Sequence, residues 1–162
     1  RYEMRLAAGG EAFGSASVYT HVDVPDFRDE RLSASTLMLT GPDATPTADT
    51  IPVFPLTRRA FTAADRASAY LRVYESRADT PAPVVTLTLK TSAGQTMLTE
   101  TVPARDVAPT GADRRIARIS DYVFPLPLQT MAEGDYLLSV TAVAEKQRVE
   151  RTTAVRVEPA RR

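Results

Sequence analysis

The chain has 162 residues, no cysteine, one histidine, and 20 basic residues against 20 acidic ones. That length suits one large domain, or one domain plus a piece of a neighbour, and it buries a core without covalent staples. A formal net charge of zero lacks the electrostatic footprint expected of a general nucleic-acid binder and gives no reason to expect attraction to an anionic membrane surface. The missing cysteine removes disulfides, thiolate catalysis and Cys-ligated zinc.

No apolar run approaches the ~20 residues that a membrane helix needs, so direct membrane insertion is not expected. The first residue is Arg1 rather than Met. The chain therefore reads as an excerpt from a longer protein, in which a missing targeting signal carries little weight.

The first predicted element is a hairpin. Tyr2–Ala8 alternates, with Tyr2, Met4 and Leu6 on one face, and Gly9-Gly10-Glu11 is a turn signal. Val18, Thr20, Val22 and Val24 then share one face of a second strand that Pro25 ends. Residues 26–30 read as a link.

Leu32–Thr40 is expected to be a strand, and residues 40–49 (TGPDATPTAD) a surface loop. Prolines at 52 and 55 make Ile51–Leu56 an extended edge segment. A short strand begins at Phe61, and Ala63–Arg66 is read as a helical turn or a polar connection.

Ala67, Ala69, Leu71 and Val73 alternate with Tyr70, Arg72 and Tyr74, the signature of a half-buried strand. Val84–Leu89 and Met97–Val102 flank Ser92-Ala93-Gly94-Gln95 as a hairpin. Pro103–Asp113 reads as loop. Ile116–Phe124 reads as strand, with Arg114–Ile119 as an alternative short helix.

The last hairpin opens at Tyr136. Leu128 followed by Gly134-Asp135-Tyr136 fits a tyrosine corner, and fits equally a plain strand aromatic. Tyr136–Pro159 also repeats the layout of Tyr2–Pro25: both open on Tyr, alternate across a polar turn, and close on Pro 23 residues later.

About ten short strands punctuated by Pro and Gly give an all-β fold, an immunoglobulin- or fibronectin-III-like antiparallel β-sandwich. We place the sandwich in residues 26–162. Residues 1–25 are a hairpin that either ends a preceding sandwich or joins the same sheet; the alternation fits both.

A further set of cues runs through Tyr2–Ala8, Val22-Asp23-Val24-Pro25-Asp26-Phe27, Leu32–Leu39, Arg59-Ala60-Phe61, Tyr70–Tyr74 and Glu133-Gly134-Asp135-Tyr136. Together they resemble the β-sandwich region behind the von Willebrand factor A-like domain of bacterial VWFA-related proteins. The Asp-x-Ser-x-Ser adhesion motif of that A-like domain is absent from this chain. The resemblance implies an exported bacterial protein (extracellular, periplasmic or cell envelope) and a non-catalytic accessory role, and it carries over no functional residues.

Few residue constellations carry chemistry. His21 would be the base of any Ser-His-Asp triad, with Asp23 on its face, but no Gly-x-Ser-x-Gly elbow supports one. An exposed strand histidine explains it. Asp26, Asp29 and Glu30 offer oxygens for calcium, but Arg28 and Arg31 interleave with them. Asp43 and Asp49 are similarly weak. Gly9-Gly10 and Gly14 lack the lysine and strand-to-helix setting of a phosphate loop.

Tyr70, Arg72 and Tyr74 form the one candidate binding face, an aromatic stripe with a cation between its rings. A covered second face explains the same pattern. The expected function is thus a non-catalytic structural or protein-interaction module, without cofactor or metal. Its partners are neighbouring domains of the same chain or another protein. A carbohydrate-binding module using exposed tyrosines is the alternative, and an enzyme is not expected.

Overall fold

The computed structural model describes residues 2–10, 14–22, 30–41, 53–77, 79, 81–103, 105–107 and 116–160. Within them the period-2 segments become twelve strands. These are β1 (Tyr2–Gly10), β2 (Gly14–Val22), β3 (Leu32–Ala34), β4 (Met38–Thr40), β5 (Ala60–Thr62) and β6 (Ser68–Glu75). They are followed by β7 (Val84–Thr91), β8 (Thr96–Val102), β9 (Arg105–Val107), β10 (Arg118–Pro125), β11 (Gly134–Ala144) and β12 (Gln147–Glu158). A 3-10 turn at Leu128–Thr130 links β10 to β11.

Ten of these strands make two five-stranded sheets. One runs β3-β6-β10-β9, with β4 also on β6; the other runs β5-β12-β11-β7-β8. Their inner faces share one core. Leu71, Val73, Tyr122 and Phe124 come from the first sheet, and Leu87, Leu89, Leu138, Val140, Val155 and Val157 from the second. Alternation along each strand puts one side chain in two into that layer, which is why the fold is all-β and layered. The hairpin β1–β2 is a separate two-stranded sheet.

Several expectations hold in detail. Gly94 takes φ 82 in the β7–β8 turn, a left-handed conformation that a bulkier residue rarely adopts. The Tyr136 hydroxyl donates to the Ala132 carbonyl at 2.8 Å, the bond that defines a tyrosine corner. Pro55 makes an isolated antiparallel bridge to Thr40, as an edge segment does.

Other expectations are corrected. The single strand over Leu32–Thr40 is two. β3 pairs Ala34 with Val73 and β4 pairs Met38 with Tyr70, so one extra residue is accommodated between them. That bulge moves the core-facing positions from Leu32 and Ala34 to Leu37 and Leu39. Ser35 fixes it: its backbone N–H donates to the Arg72 carbonyl at 2.8 Å. Its hydroxyl accepts from the Arg72 N–H at 3.0 Å.

Of the two readings of Ala63–Arg66, the polar connection is the one found: Asp65 accepts from the Thr62 N–H at 2.7 Å and the Thr62 hydroxyl at 2.9 Å, which closes a turn. The loop expected over Pro103–Asp113 contains β9, paired with β10. The segments 11–13, 23–29, 42–52 and 108–115 lie outside the described residues. With them go the first hairpin's turn, most of the acidic link, and the loop holding Asp43 and Asp49.

Candidate functional site

The sequence-predicted stripe is built by β6. Tyr70, Arg72 and Tyr74 alternate with Ala69, Leu71 and Val73, which belong to the shared core. The stripe therefore occupies the opposite face of that sheet. Antiparallel register sets Asp121 of β10 directly across from Arg72.

The pair closes as a fork. Arg72 Nε donates to Asp121 Oδ1 at 2.7 Å, and Nη2 to Oδ2 at 2.9 Å. The Tyr70 hydroxyl adds a third bond to Oδ1 at 2.7 Å.

An exposed aromatic stripe is corrected here. Tyr70 is only 1% exposed, and Arg72 and Tyr74 are half-buried. Alternation distinguishes two faces but does not say that the second one is wet. Asp121, itself buried, needs a donor from each side, and Arg72 and Tyr70 supply them. Burial, then the bond to Asp121, pushes the Tyr70 phenol well above its ordinary range. The bond to Asp121 raises the Arg72 guanidinium likewise. Tyr70, Asp121 and Arg72, engaged with one another, make a clamp between strands.

Two further arginines are spent the same way. Arg118 meets Glu75 at 3.2 Å near one end of the sandwich. Beside them lies a cavity of about 20 Å³ among Arg31, Leu32 and Ala144, room for roughly one water. Arg151 reaches from β12 to the Ala34 carbonyl at 2.9 Å and the Ser35 carbonyl at 3.2 Å, sealing the sandwich edge.

His21 stands opposite Glu3 on the exposed hairpin; Asp23 and the acids Asp26 and Asp29 lie outside the described residues. Glu30 is exposed, at the rim of an open groove with Arg31 and Arg148. No group of three or more His, Asp or Glu residues placed to hold a metal occurs among the described residues.

Five of the exposed large hydrophobic residues, Tyr2, Met4, Leu6, Val18 and Val22, lie on one face of the hairpin. Its register stacks Tyr2↔Val22, Met4↔Thr20, Leu6↔Val18 and Ala8↔Ala16 on one face. Tyr2 is 67% exposed, Leu6 56% and Val18 59%. On the other face the Arg5 guanidinium lies 4.4 Å from the Tyr19 ring centroid, beside Glu3↔His21 and Ala7↔Ser17. One face is therefore apolar and the other polar, the pattern of a strand pair made to be covered on one side. The apolar alternation of Tyr2–Val22 signals this face in the sequence; its lack of cover does not show there.

No family model and no curated protein matches the chain. Among solved structures, it is similar to a family 123 glycoside hydrolase from Clostridium perfringens at 13% identity and TM-score 0.44, over 80% of this chain and 28% of that one. It is also similar to a β-glucosidase from Erythrobacter marinus at 12% identity and TM-score 0.42, over 78% of this chain and 15% of that one. The chain thus spans less than a third of either protein, and likenesses this loose carry no argument about activity.

Proposed function

We propose that this chain is a non-catalytic β-sandwich module that works by packing against protein. The sandwich is of the immunoglobulin or fibronectin-III kind, a reading that the Tyr136–Ala132 bond supports. The single observation that carries the function is the uncovered apolar face of β1–β2, with Tyr2, Met4, Leu6, Val18 and Val22 all exposed. Contiguous exposed apolar surface of this kind marks protein contact sites. The setting implied by the VWFA-related resemblance, an exported bacterial protein, accords with a cysteine-free spacer or docking unit. The carbohydrate-binding alternative required an exposed pair of tyrosines, and Tyr70 is buried.

The test is the double substitution Leu6→Ser with Val18→Ser, followed by thermal unfolding. A face reserved for a partner leaves the melting temperature within about 2 °C, since surface substitutions away from packing are nearly neutral. A fall of more than about 5 °C makes the face part of this domain's own core and removes the proposal.

A further inference from the structure

Among the described residues, the edges of the sandwich are not equally closed. β5 and β9 are short, Ala60–Thr62 and Arg105–Val107. β3 and β4 are separated by the Ser35 bulge, and Arg151 already occupies the Ala34 and Ser35 carbonyls. β8 carries a register shift against Leu89 and Lys90, and it sets the charged Glu100 opposite the core residue Leu87. Short strands, bulges and inward charges are devices that blunt a sheet edge against strand addition.

β12 differs from all of these. It pairs with β11 in unbroken register from Gly134↔Val157 to Ala144↔Gln147. On its other side β5 reaches only Arg156, Val157 and Glu158. The stretch Gln147–Val155 therefore has no strand beside it there among the described residues. The Arg156 N–H donates to the Arg59 carbonyl on that side at 2.8 Å. Alternation along the strand turns the backbone N–H and C=O of Ala154, Thr152, Glu150 and Arg148 the same way. All four residues are exposed, and their outward backbone groups meet no backbone partner among the described residues.

This open edge borders a groove of about 560 Å³ between the starts of β3 and β12. Leu32 and Val149 give it apolar lining, and Arg31, Arg148 and Arg151 stand against a single acid, Glu30. Arg148 also meets Glu150 at 3.0 Å, with both side chains largely exposed. An exposed pair of that kind contributes little and exchanges readily for another carboxylate.

From this we infer that the open edge of β12 is a strand-addition site for an extended, acidic segment of a partner protein. The segment pairs with Arg148–Ala154 and continues the sheet in line with β5. Its main chain takes the outward N–H and C=O groups, and the arginines select its charge. The Leu32–Val149 lining calls for branched aliphatic side chains between the acids. A second copy is disfavoured, because it brings the same arginines against this groove and like charges repel. The site lies apart from the β1–β2 face and does not depend on it.

The probe is a synthetic peptide of alternating Glu and Val, with a Lys–Val peptide as control. Each is titrated into the 162-residue chain while amide hydrogen exchange is followed residue by residue. The Glu–Val peptide is expected to slow exchange at Arg148, Glu150, Thr152 and Ala154 by at least ~10-fold, and the Lys–Val peptide to leave it unchanged. Binding should weaken as salt is raised, and by ~10-fold or more in Arg31→Glu. Thr152→Pro removes one outward N–H without touching the β11 ladder, a place where an edge strand tolerates proline. It should abolish binding while the melting temperature falls by less than about 5 °C. Arg31→Glu, outside every strand, keeps the test valid if the proline variant fails to fold.

No binding of the Glu–Val peptide at about 1 mM overturns the inference. Equal binding of the two peptides does so too, as does protection confined to other strands. A concentration-dependent dimer that Thr152→Pro abolishes gives the edge to a second copy and also overturns it. Leu6→Ser with Val18→Ser should leave peptide binding unchanged, so a failure at this edge is told apart from a failure of the hairpin face.

Discussion

Hairpins β1–β2 and β11–β12 are written in nearly the same code and meet opposite fates. Tyr136, Leu138, Val140 and Ala142 are buried, whereas Tyr2, Met4, Leu6 and Ala8 are exposed. Local pattern fixes strand, register and face in both, because the side-chain period of two is a property of the backbone. Burial is not local. β11–β12 gains it from β7, β5 and the opposing sheet. Arg151 adds an edge seal through the Ala34 and Ser35 carbonyls, where the matching position on β2 is Val18. The comparison separates what a hairpin sequence encodes from what its surroundings provide.

The sharpest way to break it is at matched positions. Leu138→Ala should cost about 2–5 kcal/mol in equilibrium denaturation, the usual range for a fully buried leucine. Leu71→Ala, on the facing sheet, should fall in the same range. At the equivalent hairpin position, Met4→Ala should stay within about 0.5 kcal/mol. A loss below about 1 kcal/mol at Leu138 or Leu71 would mean that the core is wrongly assigned.

Next in size is Arg151→Ala, which strips two charge-assisted bonds from carbonyls of the β3–β4 bulge and should cost about 1–3 kcal/mol. Val18→Ala on β2 should be near neutral by the same denaturation measurement. Tyr136→Phe should then cost about 1 kcal/mol through the lost corner bond. Tyr2→Phe should cost nothing measurable, and equal losses at the two tyrosines would erase the contrast.

The smallest effect concerns charge. Arg156 bonds the Asp135 carboxylate at 2.6 Å and 3.1 Å and holds it below the usual carboxylate range. A depressed folded value stabilises above the unfolded one, about pH 4, and that stabilisation is lost as pH falls through the folded value. An NMR titration should show Asp135 returning toward an ordinary carboxylate in Arg156→Ala. No change there would mean the pair is not formed in solution.

Much of this was legible in the residues. Alternation located β6, β7, β8 and both hairpins, Ser92-Ala93-Gly94-Gln95 gave a turn, and Leu128 with Gly134-Asp135-Tyr136 pointed to the corner bond. The parts missed depend on distant partners. The parallel pairing of β5 with β12 joins Phe61 to Val157, and no local pattern signals it. The bulge between Ala34 and Met38 follows from Ser35 meeting Arg72.

The candidate stripe was half legible. The sequence placed Tyr70, Arg72 and Tyr74 on one face. It did not show that Asp121, 51 residues beyond Tyr70, would draw the phenol into a buried clamp. At neutral pH that clamp is intact. Because the Tyr70 value is raised, its contribution is fully present below the ordinary tyrosine value of about 10 and is lost progressively as pH climbs above it.

The most direct measurement is amide hydrogen exchange across the 162-residue chain, read residue by residue at one pH. β11–β12 should exchange only through global unfolding, while β1–β2 should exchange faster by on the order of 100-fold or more, as an unsupported hairpin must. Equal protection of the two hairpins in a monomeric protein would contradict it.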